Sequence, residues 1–373
     1  MSSRGSAWLR EERDAYVFGL LRCALGVLLF LQASRALSDW WDSGYFGDYW
    51  HLPIVPASLV PSHGVYAGLL AFELVAAACA IAGVWSRAAL LGSSTTGLYL
   101  LLCDRLQYHN NRYALLLIAF LTAFTPCDRS FSARRGARAL SPEARRAPTW
   151  ARRLVQAQVS LIYGASALGK LADPDWRGGQ VLAIRYLHTL SYLASQGVRV
   201  PRWLADVYTS PWYASATAKG AISLELFLAL GLWQPRTRRF ALWLGVLFHF
   251  GIELSARVEL FSWLMWTAYL AFVTPECRER LLEVDPRSRV ARLATVVLRR
   301  LDILARFDVH ENADLLTSAG SIVRVTDRSG HAHTGWAAYA QIASAFPPLF
   351  AAWPLLAMLA TFRERRQRSA AAP

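Results

Sequence analysis

Lysine is almost absent from this chain: of its 40 basic residues only Lys170 and Lys219 are lysines, and the rest are arginines. Charged residues of both signs fill 18% of the 373 positions, fewer than a soluble globular protein of this length carries. Cysteine is scarce too. The five (Cys23, Cys79, Cys103, Cys127, Cys277) form no CxxC pair and no zinc-ligand spacing. That argues against dithiol chemistry and a metal centre, and they read as small apolar fillers. The first sixteen residues are polar and the apolar run after them is long enough to span a bilayer, so no cleavable signal peptide is expected.

What the chain has instead is apolar length. Hydrophobic residues make up 54% of it, mean hydropathy is +0.25, and the apolar residues fall into runs near the span of a hydrocarbon core. The net charge of +14 would suggest a nucleic-acid partner in a soluble protein. Here the arginines sit in loops beside apolar runs, so no nucleic acid is expected and membrane lipids are the surroundings.

Eight spans are expected, at 17–37, 65–84, 88–103, 113–125, 154–171, 216–233, 240–255 and 259–274, with a three-residue turn at 85–87 between the second and third. Alternate connecting segments on one side carry 23 arginines and those on the other carry 7. The positive-inside rule then puts both termini in the cytoplasm of a multi-pass protein of the cell (inner) membrane. The expected fold is an all-α polytopic membrane protein: an eight-helix transmembrane bundle with a small cytoplasmic α+β C-terminal appendix.

The eight spans divide into two alike halves. "FELVAAACAIAGVWSR" matches "LELFLALGLWQPRTRR", and "AFLTAFTPCDR" matches "AYLAFVTPECR". Glu73 pairs with Glu225, Arg87 with Arg239 and Cys127 with Cys277 at near-constant offset, and Arg35 falls opposite Lys170. A duplicated four-helix unit accounts for this. The expected organisation is a cytoplasmic segment 1–15, a first unit 16–131, an Arg-rich linker 132–153, a second unit 154–277 and a C-terminal region 278–373. In that last region "SIVRVTDRSGHAHTGWAAYAQIASAF" reads as a β-hairpin turning at 327–330 and then a helix. The proline-containing run 346–362 reads as an interfacial helix.

Ionisable residues within spans are costly and therefore functional candidates. Glu73 and Glu225 could pair with a neighbouring span or stay protonated, and Arg22 is expected to snorkel. Lys170 closes an apolar run, where a snorkelling lysine is the plain reading. In a chain that otherwise uses arginine, it also offers what guanidinium cannot: a desolvated amine able to lose its proton and act as a base. Arg35 could supply a fixed cation for an anionic group. His249 and Glu253 share one face of the seventh span. Tyr108, His109, Asn110, Asn111 and Arg112 crowd a short outer connection, and the long outer loops carry Trp40, Trp41, Tyr45, Tyr49, Trp50, Trp176, Trp203, Tyr208, Trp212 and Tyr213. These aromatics suit a headgroup belt and a cover over a lipophilic ligand.

At these residues the chain resembles a known family. "LIYGASALGKLADPDWRGG" is similar to the lysine motif of vitamin K-dependent γ-carboxylases and their bacterial relatives, the HTTM (horizontally transferred transmembrane) domain proteins. "YHNNRYALLLIAFL" resembles the family's Asn-Asn-His element and "LFHFGIELSARVELFSWLMWTAYLAF" its Phe-His helix; the resemblance runs from 16 to 275. It implies that Lys170 is the base that deprotonates a reduced, vitamin K-like quinone. Oxygen then gives an alkoxide that takes a glutamate γ-proton, and CO2 adds. His249, Arg35, His109, Asn110, Asn111, Arg112, Glu253 and Trp176 would bind substrate, with no metal. Arg112 stands where the family has histidine, and the large propeptide-binding domain has no counterpart here. Quinone or other lipid chemistry at the non-cytoplasmic leaflet is thus expected ahead of protein carboxylation. The alternative is a non-catalytic scaffold, lipid carrier or partner subunit; a transporter is weaker, for want of an interrupted helix. "VTDRSGHAHTGWAAY" is similar to DCC-type thiol-disulfide oxidoreductase-like proteins but lacks their cysteine pair.

Overall fold

The computed structural model describes residues 3–43, 52–133, 141, 143–255, 258–273 and 280–370. Tyr45, Tyr49, Trp50, Arg257 and Cys277 lie outside the described residues, as does the end of the last expected span. The chain divides into two compact units, Met1–Val273 and Thr274–Pro373.

Helices occupy all eight apolar segments of the first unit. They are α1 (Tyr16–Ser43), α2 (His63–Ala82), α3 (Ser86–Leu102), α4 (Asn110–Thr122), α5 (Trp150–Ala172), α6 (Pro211–Gly231), α7 (Pro235–Ser255) and α8 (Phe261–Ala268). A 3-10 turn at Tyr269–Ala271 extends α8. Two of these helices, α1 and α2, are long and apolar enough to cross a membrane by length and composition. The turn after α2 lies at Gly83–Trp85, two residues earlier than expected. Gly83 ends the helix in the left-handed region (φ +76°), and the Val84 amide closes onto the Cys79 carbonyl at 2.9 Å.

Within the first four helices, α1 packs on α2, α2 on α3, α3 on α4, and α4 back on α1. Helices α5 to α8 repeat those neighbours in the same order. The two sets meet where α1 and α4 pack against α5 and α8, around a core of buried Leu, Ala and Val with Tyr163, Tyr269 and Phe272. Arg22, expected to snorkel, is instead fully buried. Its guanidinium donates to the carbonyls of Cys127 (2.8 Å) and Ser130 (3.3 Å) and to Ser86 Oγ (3.1 Å). These carbonyls follow the end of α4 and would otherwise be orphaned away from water, so they hold the cation inside. Arg152 plays the same part in the second set, donating to the carbonyls of Ala271 (2.7 Å) and Val273 (2.8 Å).

The arginine-rich linker is anchored at its end. β1 (Glu12–Asp14) pairs antiparallel with β2 (Arg146–Pro148). Beside this ribbon the buried Arg145 guanidinium grips Asp14 with two bonds, of 2.9 and 2.8 Å.

The second unit is α+β. Its sheet runs β4 (Phe307–Glu311), β3 (Arg280–Val284), β5 (Val323–Thr326), β6 (Ala332–Thr334), with β3–β4 parallel and the other pairs antiparallel. Helix α9 (Arg289–Leu301) links β3 to β4, α10 (Leu315–Ala319) precedes β5, and α11 (Gly335–Ala345) follows the β5–β6 hairpin. The β3–α9–β4 crossover and the β5–β6 hairpin thus meet on β3. The chain enters α9 through Asp285, Pro286, Arg287 and Ser288. Asp285 accepts from the Arg287 amide at 2.9 Å and Ser288 from the Ala291 amide at 3.3 Å, so the segment caps α9. The run expected as an interfacial helix forms a 3-10 turn (Pro347–Ala352) and α12 (Trp353–Ala370).

Candidate functional site

Helix α5 carries a polar stripe along an otherwise apolar body. Arg152, Gln156, Tyr163, Ser166 and Lys170 recur at helical spacings of three, four and seven, so they share one face. Each finds a partner on another element of the second set. Gln156 donates to the Ala271 carbonyl at 2.8 Å. The buried Tyr163 hydroxyl bonds His249 Nε2 of α7 at 2.6 Å and also the Tyr269 hydroxyl. Ser166 Oγ and Lys170 Nζ both donate to Glu225 Oε1 of α6, at 3.2 and 2.5 Å.

The residues after Lys170 form its cover. Helix α5 stops at Ala172, where Asp173 turns the chain and accepts from the Asp175 amide at 2.9 Å, with Pro174 opening a short helix, Pro174–Gly178. Gly179 then takes the left-handed conformation (φ +88°), against the start of α6, where a Cβ would come within 2.5 Å of the Ser215 amide nitrogen. This turn lays the Trp176 ring 4.9 Å from Lys170 Nζ. The Lys170 side chain is 18% exposed and that of Glu225 is 5%. The Lys170 amino group is thus nearly buried, held between the Glu225 carboxyl and an indole face.

His249 is fully enclosed, with the rings of Phe248 and Phe261 edge-on at 5.3 and 5.5 Å. Its Nδ1, Glu225 Oε2 and Glu253 Oε2 are buried without a protein partner. Glu73, matched to Glu225 in sequence, is also buried, with Oε1 unpartnered against Gly97. The two halves therefore differ at this point: one glutamate has its lysine and the other does not.

Arg35 does not join Lys170. It stands 3.6 Å from Glu259, which Arg112 approaches from another side at 3.5 Å. These three, with Gln32, Asn111, Leu115 and Leu260, line a small pocket between α1, α4 and the turn before α8; Lys170 does not line it. His109 and Asn110 are exposed at the start of α4. The structure thus gathers Lys170 with Trp176 and Glu225, His249 with Tyr163 and Tyr269, and Arg35 with Asn111 and Arg112.

A family model for the HTTM domain matches residues 10–277. The chain belongs to the HTTM domain family. It is accordingly a membrane protein, and the family match spans every residue just described in α1 to α8. No curated protein and no solved structure matches it.

Sequence reasoning missed Tyr163, Ser166, Tyr269, Gln32 and Glu259 as site residues. The first two were within reach, since they stand seven and four residues before Lys170 on the same helical face. Tyr269 and Glu259 carry no comparable signal, because only packing brings them to His249, Arg35 and Arg112. Of the aromatics between α5 and α6, Tyr208 and Tyr213 cluster with Tyr186, ring centroids 4.9, 5.6 and 5.9 Å apart, while Trp203 and Trp212 are exposed. Lys219 is exposed on α6 and joins none of these groups.

Proposed function

We propose that this HTTM protein is a multi-pass enzyme of the cell (inner) membrane that acts on a quinone-like or other lipophilic hydroxylated substrate at the non-cytoplasmic leaflet, with Lys170 as base. In this reading eight helices span the bilayer as two copies of a four-helix unit, both entering in the same direction, with cytoplasmic termini. The repeated order of helix neighbours supports the duplication.

The observation that carries the chemistry is the nearly buried Lys170–Glu225 pair under Trp176. A lone buried ammonium could not serve as a base. The proposal requires the pair to pass through amine and carboxylic acid as well as ammonium and carboxylate, by proton exchange along the Nζ–Oε1 contact. From the former state Lys170 Nζ accepts a substrate hydroxyl proton, leaving an ammonium beside a neutral acid and an anionic substrate oxygen. A reduced quinone, when bound, supplies that acidic hydroxyl and a pair of electrons for later oxidation. The residues fit such a group. Trp176 offers an aromatic face, and Glu225 Oε2, His249 Nδ1 and Glu253 Oε2 offer buried polar atoms in need of partners.

The test uses the detergent-purified full chain. Mass spectrometry reads out retained quinones and lipids, and consumption of an added long-chain naphthohydroquinone reads out turnover. Lys170→Arg should keep the fold and lose turnover by about a hundredfold or more. Wild-type turnover in that variant would remove Lys170 as base.

A second reading, a non-catalytic scaffold or lipid-binding subunit, draws on the same pair: Glu225 already accepts from both Lys170 and Ser166, as a structural ion pair would. It predicts no hydroquinone consumption by the wild type. Retained lipid that is lost in His249→Ala would mark a carrier, and unchanged lipid content a pure scaffold.

A further inference from the structure

Helix α9 of the second unit has two apolar faces. Ala291, Thr295 and Leu298 are buried and serve the unit's own core, which already includes Leu282, Val325 and Phe307. A second stripe points away. Val290, Leu293, Val297 and Leu301 recur at spacings of three, four and four, and are 72%, 68%, 44% and 44% exposed. Scattered exposed apolar residues are ordinary, but four on one helical face form a continuous strip.

The charges on α9 are all of one sign. Arg289, Arg292, Arg299 and Arg300 are exposed, and the helix has no acidic residue. At 100° per residue, Arg289 and Arg300 fall beside Leu293, on the border of the apolar stripe. An apolar strip edged by arginine suits a surface that offers acyl chains and negative headgroups together. It suits an acidic peptide less well, because four aliphatic side chains would have to be covered by the same ligand. The helix also follows the last apolar helix of the membrane unit closely: Arg289 comes eighteen residues after Ala271, the end of the turn extending α8. At about 3.5 Å per residue that length of chain lets α9 reach a bilayer holding α8.

We propose that α9 lies on the membrane surface, with Val290, Leu293, Val297 and Leu301 in the headgroup–acyl boundary and Arg289 and Arg300 on anionic lipid phosphates. The α+β unit then serves as a peripheral membrane foot. The proposal rests on the family's membrane character and on neither the eight-span count nor Lys170 chemistry.

The experiment places single cysteines at Leu293, Val297 and, as a reference on the β5–β6 turn, Ser329. The background is a full chain whose native cysteines are replaced by alanine. Each is labelled with a bimane fluorophore and reconstituted into phosphatidylcholine vesicles with or without about a third phosphatidylglycerol, together with lipids spin-labelled near the headgroup. Flotation with the vesicles first verifies insertion, and a wild-type chain that fails to float overturns the proposal together with the membrane reading on which it rests. The expected result is quenching at 293 and 297 about twofold or more above that at 329. Quenching should fall without the anionic lipid and in Arg289→Glu/Arg300→Glu. No excess quenching at 293 and 297 overturns the proposal. A blue-shifted but unquenched label would assign the stripe to protein instead, whether the first unit, a second copy or a partner, and overturns it too. Equal quenching in purely zwitterionic vesicles would remove anionic lipid as the occupant. If the cysteine-free background fails to float, wild-type chain with Leu293→Arg/Val297→Arg gives a second readout: faster proteolysis of the 280–302 segment in anionic vesicles is expected, and an unchanged rate overturns the proposal.

Discussion

At the scale of single residues, the most consequential pairing is Lys170 with Glu225. Removing one member of a buried pair leaves the other charge without compensation, which costs more than the pair is worth. Glu225→Gln should therefore lower stability by about 3 kcal/mol. Adding Lys170→Met should recover part of the loss, because the double variant strands no charge. Thermal melting of the four proteins in detergent measures the coupling, and additive losses would mean the pair is not formed. A second residue-scale effect lies on the β5–β6 turn. Asp327 is held below the usual carboxylate range by the Ser329 hydroxyl first, at 2.5 Å, then by His333 Nε2 at 3.0 Å, with the amides of Ser329 and His331 adding to it. A carboxyl depressed in the folded state contributes stability above its unfolded pKa of about 4, and loses it as pH falls through the lower folded value. Hairpin amide protection, read by hydrogen exchange, should weaken on acidification below about pH 4. In Asp327→Asn it should be weaker at neutral pH and flatter with pH.

At the scale of elements, glycine sets how closely α7 can meet the segment after α8. A Cβ on Gly245 would fall on the Tyr269 hydroxyl. Gly245→Ala must push Tyr269 aside and break its bond to Tyr163, which also holds His249. The expected cost is about 2 kcal/mol, as for other overpacked cores. Tyr269→Phe removes the same bond without the clash and should cost less; melting curves of the two variants separate packing from hydrogen bonding. Equal losses would place the whole effect in the hydroxyl. Element boundaries show a similar dependence. The residues of "LADPDWRGG" announce a helix stop, a cap and a left-handed glycine by type alone, and the structure forms all three at Ala172, Asp173 and Gly179. The turn after α2 was harder to read, since Trp85 and Ser86 are as acceptable in a loop as in a helix. Gly83 decides it by closing α2 early.

At the scale of the whole molecule, the arginine distribution predicts cytoplasmic termini and an outer segment between α5 and α6. Reporter fusions after residue 370 should be active only inside the cell, and a cysteine at Ser195 should react with an impermeant thiol reagent from outside. Reaction from the inside would invert the topology. Apolar patterning and the placement of arginines marked out all eight helical segments, because hydrophobic runs and loop charges are local properties of the chain. The hairpin and helix near the C-terminus were legible for the same reason: alternation and turn residues act within a few positions. The parallel β3–β4 pairing was not, since its partners are separated by a whole helix and neither strand alone specifies the other. The same division runs through the candidate site. Sequence by itself singled out Lys170 by its rarity, along with His249, Arg35 and the Trp176 motif. Only tertiary structure decided that Lys170 meets Glu225, that Arg35 turns to Glu259, and that Arg22 is buried on backbone carbonyls. Charge and helical phase say which residues need a partner, but which partner they find is settled by the packing of helices far apart along the chain.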